Sequence, residues 1–116
     1  MKKAILRKGD AVLIPDLAVT TNFFERFRGL MFKQSIPDSY GLLIRPCNQI
    51  HMMNMMFPLD VIYLSGDGTV LHMDENIRPW KIGKTVKHAV GVVEVNAGTC
   101  ARLGIETGDK LTIENA

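Results

Sequence analysis

The sequence predicts an α+β fold that is mostly β: a compact sheet-dominated or partly closed barrel domain with two short helices. Three observations carry this expectation. Apolar runs of strand length follow one another closely from residue 3 to residue 114, and turn dipeptides such as Gly9-Asp10, Asp67-Gly68 and Gly108-Asp109 separate several of them. Helical periodicity is confined to two segments, near residues 22–29 and 97–103. The 116 residues, 47% of them hydrophobic, suffice for a single domain over 1–116. A chain of this size buries roughly two-thirds of its unfolded surface.

The first two strands, 3–8 and 11–15, make a terminal hairpin across Gly9-Asp10, with Pro15 closing the second. From Thr20 the pattern becomes helical. Thr20, Thr21 and Asn22 offer side-chain oxygens to the first helical N–H groups, and Phe23, Phe24, Phe27, Leu30 and Met31 recur at helical spacing. Asn22 with Glu25 three residues on resembles a capping box, Thr21 being the alternative cap, and Gly29 suits a left-handed C-terminal cap. The phenylalanines of this helix are expected to pack on a sheet. A loop over 34–40 leads to a strand at 41–46 that ends at Pro46.

Strands are expected at 48–57 and 59–64, on either side of Pro58. A loop at 65–68 then leads to a strand at 69–74. The loop length sets the register. Two loop residues would place Asp60 opposite Glu75 and three would place it opposite Asp74. Four place it opposite Met73, which avoids opposed like charges. Residues 77–87 are irregular and basic, 88–95 form a valine-rich strand, and 97–103 a short helix stopped by Gly104. The last strand is expected at 110–114. There are no repeats and no low-complexity tract.

Fourteen Lys and Arg against twelve acidic residues give a net charge of +2, so no global field draws the chain to nucleic acid or to anionic lipid; such binding would require a local patch. Cys47 and Cys100 are too few for a disulfide scaffold and fit reduced thiols. The N-terminal Met-Lys-Lys is followed by three apolar residues and then by Arg7-Lys8-Gly9-Asp10, so no apolar signal region is present and a cytoplasmic location is expected. No nucleic acid, membrane or cofactor is expected, and no partner protein is indicated.

An ordered set of motifs covering about residues 18–114 adds a resemblance. They are Glu25-Arg26-Phe27-Arg28-Gly29-Leu30-Met31, Gly41-Leu42-Leu43, Ile50-His51 with Met55, and Phe57-Pro58-Leu59-Asp60. Asp67-Gly68, Pro79-Trp80, Val93-Glu94-Val95-Asn96-Ala97-Gly98, Gly104-Ile105 and Gly108-Asp109 complete the set. In this order the chain resembles family 192 of the domains of unknown function, small proteins of bacteria and archaea. The resemblance implies a compact β-rich fold and no established activity. Relatives of this type commonly carry aromatics between the histidine and Met55; here Met52, Met53 and Asn54 stand there, which removes a stacking role at those positions.

The candidate site follows from residues that would be costly in a core unless paired. If 48–57 is a strand, His51, Met53, Met55 and Phe57 share one face; His51, Met53 and Met55 are soft donors that suit Cu(I) and that Cys47 could join, but no metal signature of fixed spacing is present and core packing by methionine is the favoured reading. Asp60 in Leu59-Asp60-Val61-Ile62 and Glu94 in Val92-Val93-Glu94-Val95 are carboxylates in apolar strands. They are an acid–base pair, or each is locked structurally by Arg26, Arg28, a backbone N–H or the Trp80 indole. Asp60 is expected to be buried and to accept hydrogen bonds. Trp80 lies in the basic loop 78–88 and is expected to be partly exposed. The favoured reading is a non-enzymatic small-ligand-binding or accessory domain with a pocket of His51, Met55, Asp60, Trp80 and Glu94. The alternative is a small acid–base enzyme using Asp60 and Glu94 with His51 assisting; a common cavity for the two carboxylates decides between them.

Overall fold

The computed structural model describes residues 1–116. Strand β1 (Lys2–Lys8) turns at Gly9 into β2 (Ala11–Val19), which passes the short helix α1 (Phe23–Arg28) to reach β3 (Tyr40–Ile44). After a long irregular crossing come β4 (Leu59–Leu64), β5 (Val70–Ile77), β6 (Gly91–Asn96), α2 (Thr99–Leu103) and β7 (Thr112–Asn115). The seven strands form one sheet in the order β5-β4-β6-β3-β2-β1-β7, antiparallel except for the β2–β3 pair. The sheet is open. Its two edges approach only at one corner, where Thr69 bridges Lys110, so the sheet-dominated form of the fold is the one adopted and the barrel is not closed.

Both faces of the central strands are covered. Leu6, Leu17, Ile62, Val93 and Cys100 belong to one apolar layer, and Leu30, Met52, Val61, Tyr63 and Val92 to the other. This explains why β4 shows no hydrophobic alternation: all six of its residues are buried.

Pro15 does not end β2. Ala4 pairs with Leu17 and Leu6 with Ile14, so Ile5 faces both Pro15 and Asp16. A bulge accommodates the missing N–H within a continuing strand. The expected β4–β5 register is also corrected, because Ile62, not Asp60, pairs with Met73. Leu59 pairs with Ile77 and Val61 with Asp74, so Glu75 and Asn76 bulge across from Asp60. Asn76 adopts φ 54°, and its N–H donates to Asp60 Oδ1 at 2.8 Å. The like-charge argument fails here because Glu75 points to solvent while the bulge presents a backbone donor to the carboxylate.

Residues 48–57 are not a strand. They hold one isolated bridge, His51 to Ile82, followed by a turn in which Met55 N–H donates to the Met52 carbonyl and Asn54 takes φ 60°. The shared face of His51, Met53 and Met55 is therefore lost: Met55 is buried and Met53 exposed. Helix α1 also departs from expectation, since none of its residues is buried and Phe23, Phe24 and Phe27 face solvent. Asn22 caps it through Oδ1, which accepts from Glu25 N–H at 2.9 Å, while Glu25 Oε1 accepts from Thr21 N–H at 2.7 Å. No helix is long and apolar enough to cross a membrane.

Candidate functional site

A cavity of about 60 Å³ lies between the end of α1, the crossing at 44–55 and β6. At roughly 10–15 Å³ per water it has room for about four to six water molecules or a ligand of a few heavy atoms. Gly29 ends α1 beside the cavity, and its backbone angles, not tight packing, are what call for glycine. Its φ 50° and ψ −125° suit glycine alone, and a Cβ there would lie 3.4 Å from Glu94 Oε1. The opposite wall is zipped to the basic loop. Gln49 Nε2 donates to Gly83 O, Gly83 N–H to Ile50 O, and Met52 N–H to Lys81 O. Phe32 N–H donates to Asn54 O at 3.0 Å and ties this wall to the chain leaving α1.

Polar atoms in this cavity lack partners. The only two fully buried side-chain polar atoms without a hydrogen bond are His51 Nδ1 and Glu94 Oε1, and both residues line it. Such atoms cost free energy unless a further group satisfies them. Burial alone raises the Glu94 carboxyl to about 7, so near neutral pH it is divided between donor and acceptor forms. Arg26 and Arg28 line the same space without an ion pair to any carboxylate. Phe27 stands beside the His51 ring at 6.1 Å between centroids, and burial pushes the Cys47 thiol up, its Sγ donating to Gln49 O at 3.1 Å. Met55, Leu30, Met31, Ile44 and Ile50 supply the apolar lining.

His51, Met55 and Glu94 are thus brought together, and Asp60 and Trp80 lie elsewhere. In the β4–β6 ladder Asp60 pairs with Val95 and Val61 with Glu94. Neighbouring positions on a strand point to opposite faces, so the two carboxylates lie on opposite sides of the sheet. The role of Asp60 is structural, for besides Asn76 it accepts from Gly98 N–H at 3.1 Å and Cys100 N–H at 3.0 Å. It caps α2 from a neighbouring strand, which matters because Gly98 offers that helix no side-chain cap. Burial and the Asp60 carboxylate push the Cys100 thiol up to about 12, making it an inert core group. Trp80, at φ 69°, is 65% exposed and touches the site only through its N–H to Met52 O.

Sequence reasoning misses the parts of the site whose roles are spatial. It reads Gly29 as a helix stop, and Arg26 and Arg28 as locks for carboxylates. The Arg26-Phe27-Arg28-Gly29 run is the available signal, because two cations flanking a phenylalanine just before a glycine stop are unusual in a helix expected to pack on a sheet. A second polar cluster has no signature in the sequence: buried Tyr63 donates its hydroxyl to Asp74 at 2.9 Å, and His72 meets the same carboxylate at 2.8 Å. Burial, with this bond, holds the Tyr63 phenol well above its ordinary range, so its hydroxyl stays a donor and the cluster anchors the β4–β5 pair. Among His, Cys, Asp and Glu side chains, no three are placed to hold one metal ion.

Fold and cavity together define a small, single-sheet β-rich domain with a partly enclosed, mostly apolar cavity that holds two unpartnered polar atoms. The chain belongs to the DUF192 family, described as an uncharacterized ACR, whose profile matches residues 4–113. A UPF0127 protein from Thermococcus sibiricus is 31% identical over 102 residues, covering 83% of this chain but 64% of the relative, so this chain spans less than two-thirds of that protein. A UPF0127 protein from Pyrococcus furiosus is 28% identical, with 90% of each chain covered. A crystal structure of a protein of unknown function from Novosphingobium aromaticivorans superposes with a TM-score of 0.78 at 28% identity, covering 95% of this chain and 83% of that one.

Proposed function

We propose that the chain is a non-enzymatic small-ligand-binding domain whose site is the cavity lined by Arg26, Arg28, His51, Met55 and Glu94. One observation carries this reading: the two fully buried, unpartnered polar side-chain atoms, His51 Nδ1 and Glu94 Oε1, belong to the same cavity. A ligand that hydrogen-bonds both would remove their desolvation cost, and one with an anionic end would also meet the two arginines. The cavity volume restricts the enclosed part to a few heavy atoms, with Phe27 as the cover. Acid–base catalysis by Asp60 and Glu94 is not supported, because no substrate atom can reach carboxylates on opposite faces of a sheet.

A cytoplasmic location is part of the same proposal and is supported by Cys47 and Cys100 as free thiols. A ligand-observed NMR screen of small amides, alcohols and hydroxy acids tests the assignment. Hits on the parent chain should lose affinity at least about tenfold in Glu94→Leu, which keeps roughly the same bulk and deletes the carboxyl. Hits that bind this variant as well as the parent would refute the site.

A further inference from the structure

The end of the molecule that carries the cavity also carries an unusual amount of exposed apolar surface. Phe23, Phe27, Phe32, Met56, Trp80 and Ile82 are each between 55% and 72% exposed. They form one surface. Phe23 stacks on Phe27 with centroids 6.2 Å apart, Phe27 meets the His51 ring, and His51 bridges Ile82. Met52 bonds through its backbone to both Trp80 and Lys81, and Phe32 bonds to Asn54, so the methionine turn joins the two halves. With aromatic side chains of about 150–250 Å² each, the exposed area reaches several hundred Å², the range that marks a docking face.

Its charge selects the partner. Arg26, Arg28, Lys33, Arg78 and Lys81 rim the face, and none is ion-paired within the chain. Of the acids near it, Glu25 is engaged by Thr21 and the N-terminal amine and Asp74 by Tyr63 and His72, while Glu75 lies beside Ile82 at the edge of the face. We propose that this face docks on an anionic lipid surface, with the phenylalanines, Met56, Trp80 and Ile82 entering the interfacial layer and the five cations reaching lipid phosphates. The +2 net charge could not show this, because the excess is local.

Three features favour lipid over other occupants. The apolar groups sit on a helix of six residues and on turns, as separate projections, and the enclosed volume among them, about 60 Å³, cannot seat a peptide helix. Two copies pressed face to face would oppose their own cations. A nucleic acid strand could stack on the aromatics but would leave Met56 and Ile82 without apolar cover.

Vesicle flotation of the full chain tests the proposal, using phosphatidylcholine alone and an equal mixture with phosphatidylglycerol. The parent should float with the mixed vesicles and not with phosphatidylcholine, lose binding steeply as salt is raised, and show a blue shift of Trp80 emission on binding. Phe32→Ser and Lys33→Glu with Lys81→Glu alter only exposed side chains, and each variant should reduce partitioning at least about tenfold while melting like the parent. Equal binding to both vesicle types, absence of binding, or no emission change would overturn the proposal. So would a dimer in light scattering that Phe32→Ser dissociates, or displacement from vesicles by a single-stranded oligonucleotide.

Discussion

Replacing Glu94 by Gln removes the ionisation of a carboxyl that is 5% exposed and whose Oε1 has no partner, while keeping its size. In the unfolded chain this group titrates near 4.5 and in the folded protein near 7, through burial. The folded state therefore binds this proton more tightly. The stability associated with it is fully present below about pH 4.5 and is lost as the pH rises to about 7, where the folded carboxyl also ionises. At about 1.4 kcal/mol for each tenfold change in proton affinity, the ionised form costs the fold roughly 3 kcal/mol. Urea melts of parent and Glu94→Gln from pH 4 to pH 8 isolate the effect, because every other titrating group is common to both. The two should agree at the acid end. At pH 8 the variant should be more stable by up to roughly 3 kcal/mol, a midpoint shift of about 1–3 M urea. Curves that stay parallel across the range would refute the picture of an uncompensated carboxyl and imply that Arg26 or Arg28 neutralises it.

Asp60→Ala should destabilise by about 2–4 kcal/mol, since it strands the N–H groups of Asn76, Gly98 and Cys100; a denaturant melt within about ±0.5 kcal/mol of the parent would contradict its role. Gly29→Ala forces a side chain into a glycine-only conformation beside Glu94 and should cost about 1–3 kcal/mol by the same assay. A neutral effect would mean that the backbone there relaxes freely. Trp80 fluorescence should be strongly quenched by iodide, drawn by Arg78, Lys81 and Lys84, because the indole is 65% exposed. Quenching as weak as for a buried indole would contradict its placement.

Where the sequence is informative, it is because a residue stands against its surroundings. Asp60 and Glu94 stand out as carboxylates in strands with no solvent face, and both are indeed buried. Pattern cannot show that consecutive ladder positions put them on opposite faces, since that depends on how β4 meets β6. Turn chemistry locates Gly9, Gly68 and Gly104 correctly, each at positive φ. Bulges are invisible: Pro15 and Asn76 each add a residue to one side of a ladder, and no local rule counts that residue. Apolar run length misleads twice. The stretch 48–57 reads as a strand, but Asn54 in the left-handed region folds it into a turn. The phenylalanines of α1 have core periodicity, yet the sheet beneath is already covered by Leu30, Met31 and Met52, leaving them at the surface.

Everything proposed for the site rests on a ligand occupying the cavity between α1, the methionine turn and β6. A crystal structure of the chain with a hit from the small-molecule screen tests it most directly. The molecule should lie under Phe27 with hydrogen bonds to His51 Nδ1 and Glu94 Oε1. A molecule bound elsewhere, with those two atoms still unpartnered, would contradict it.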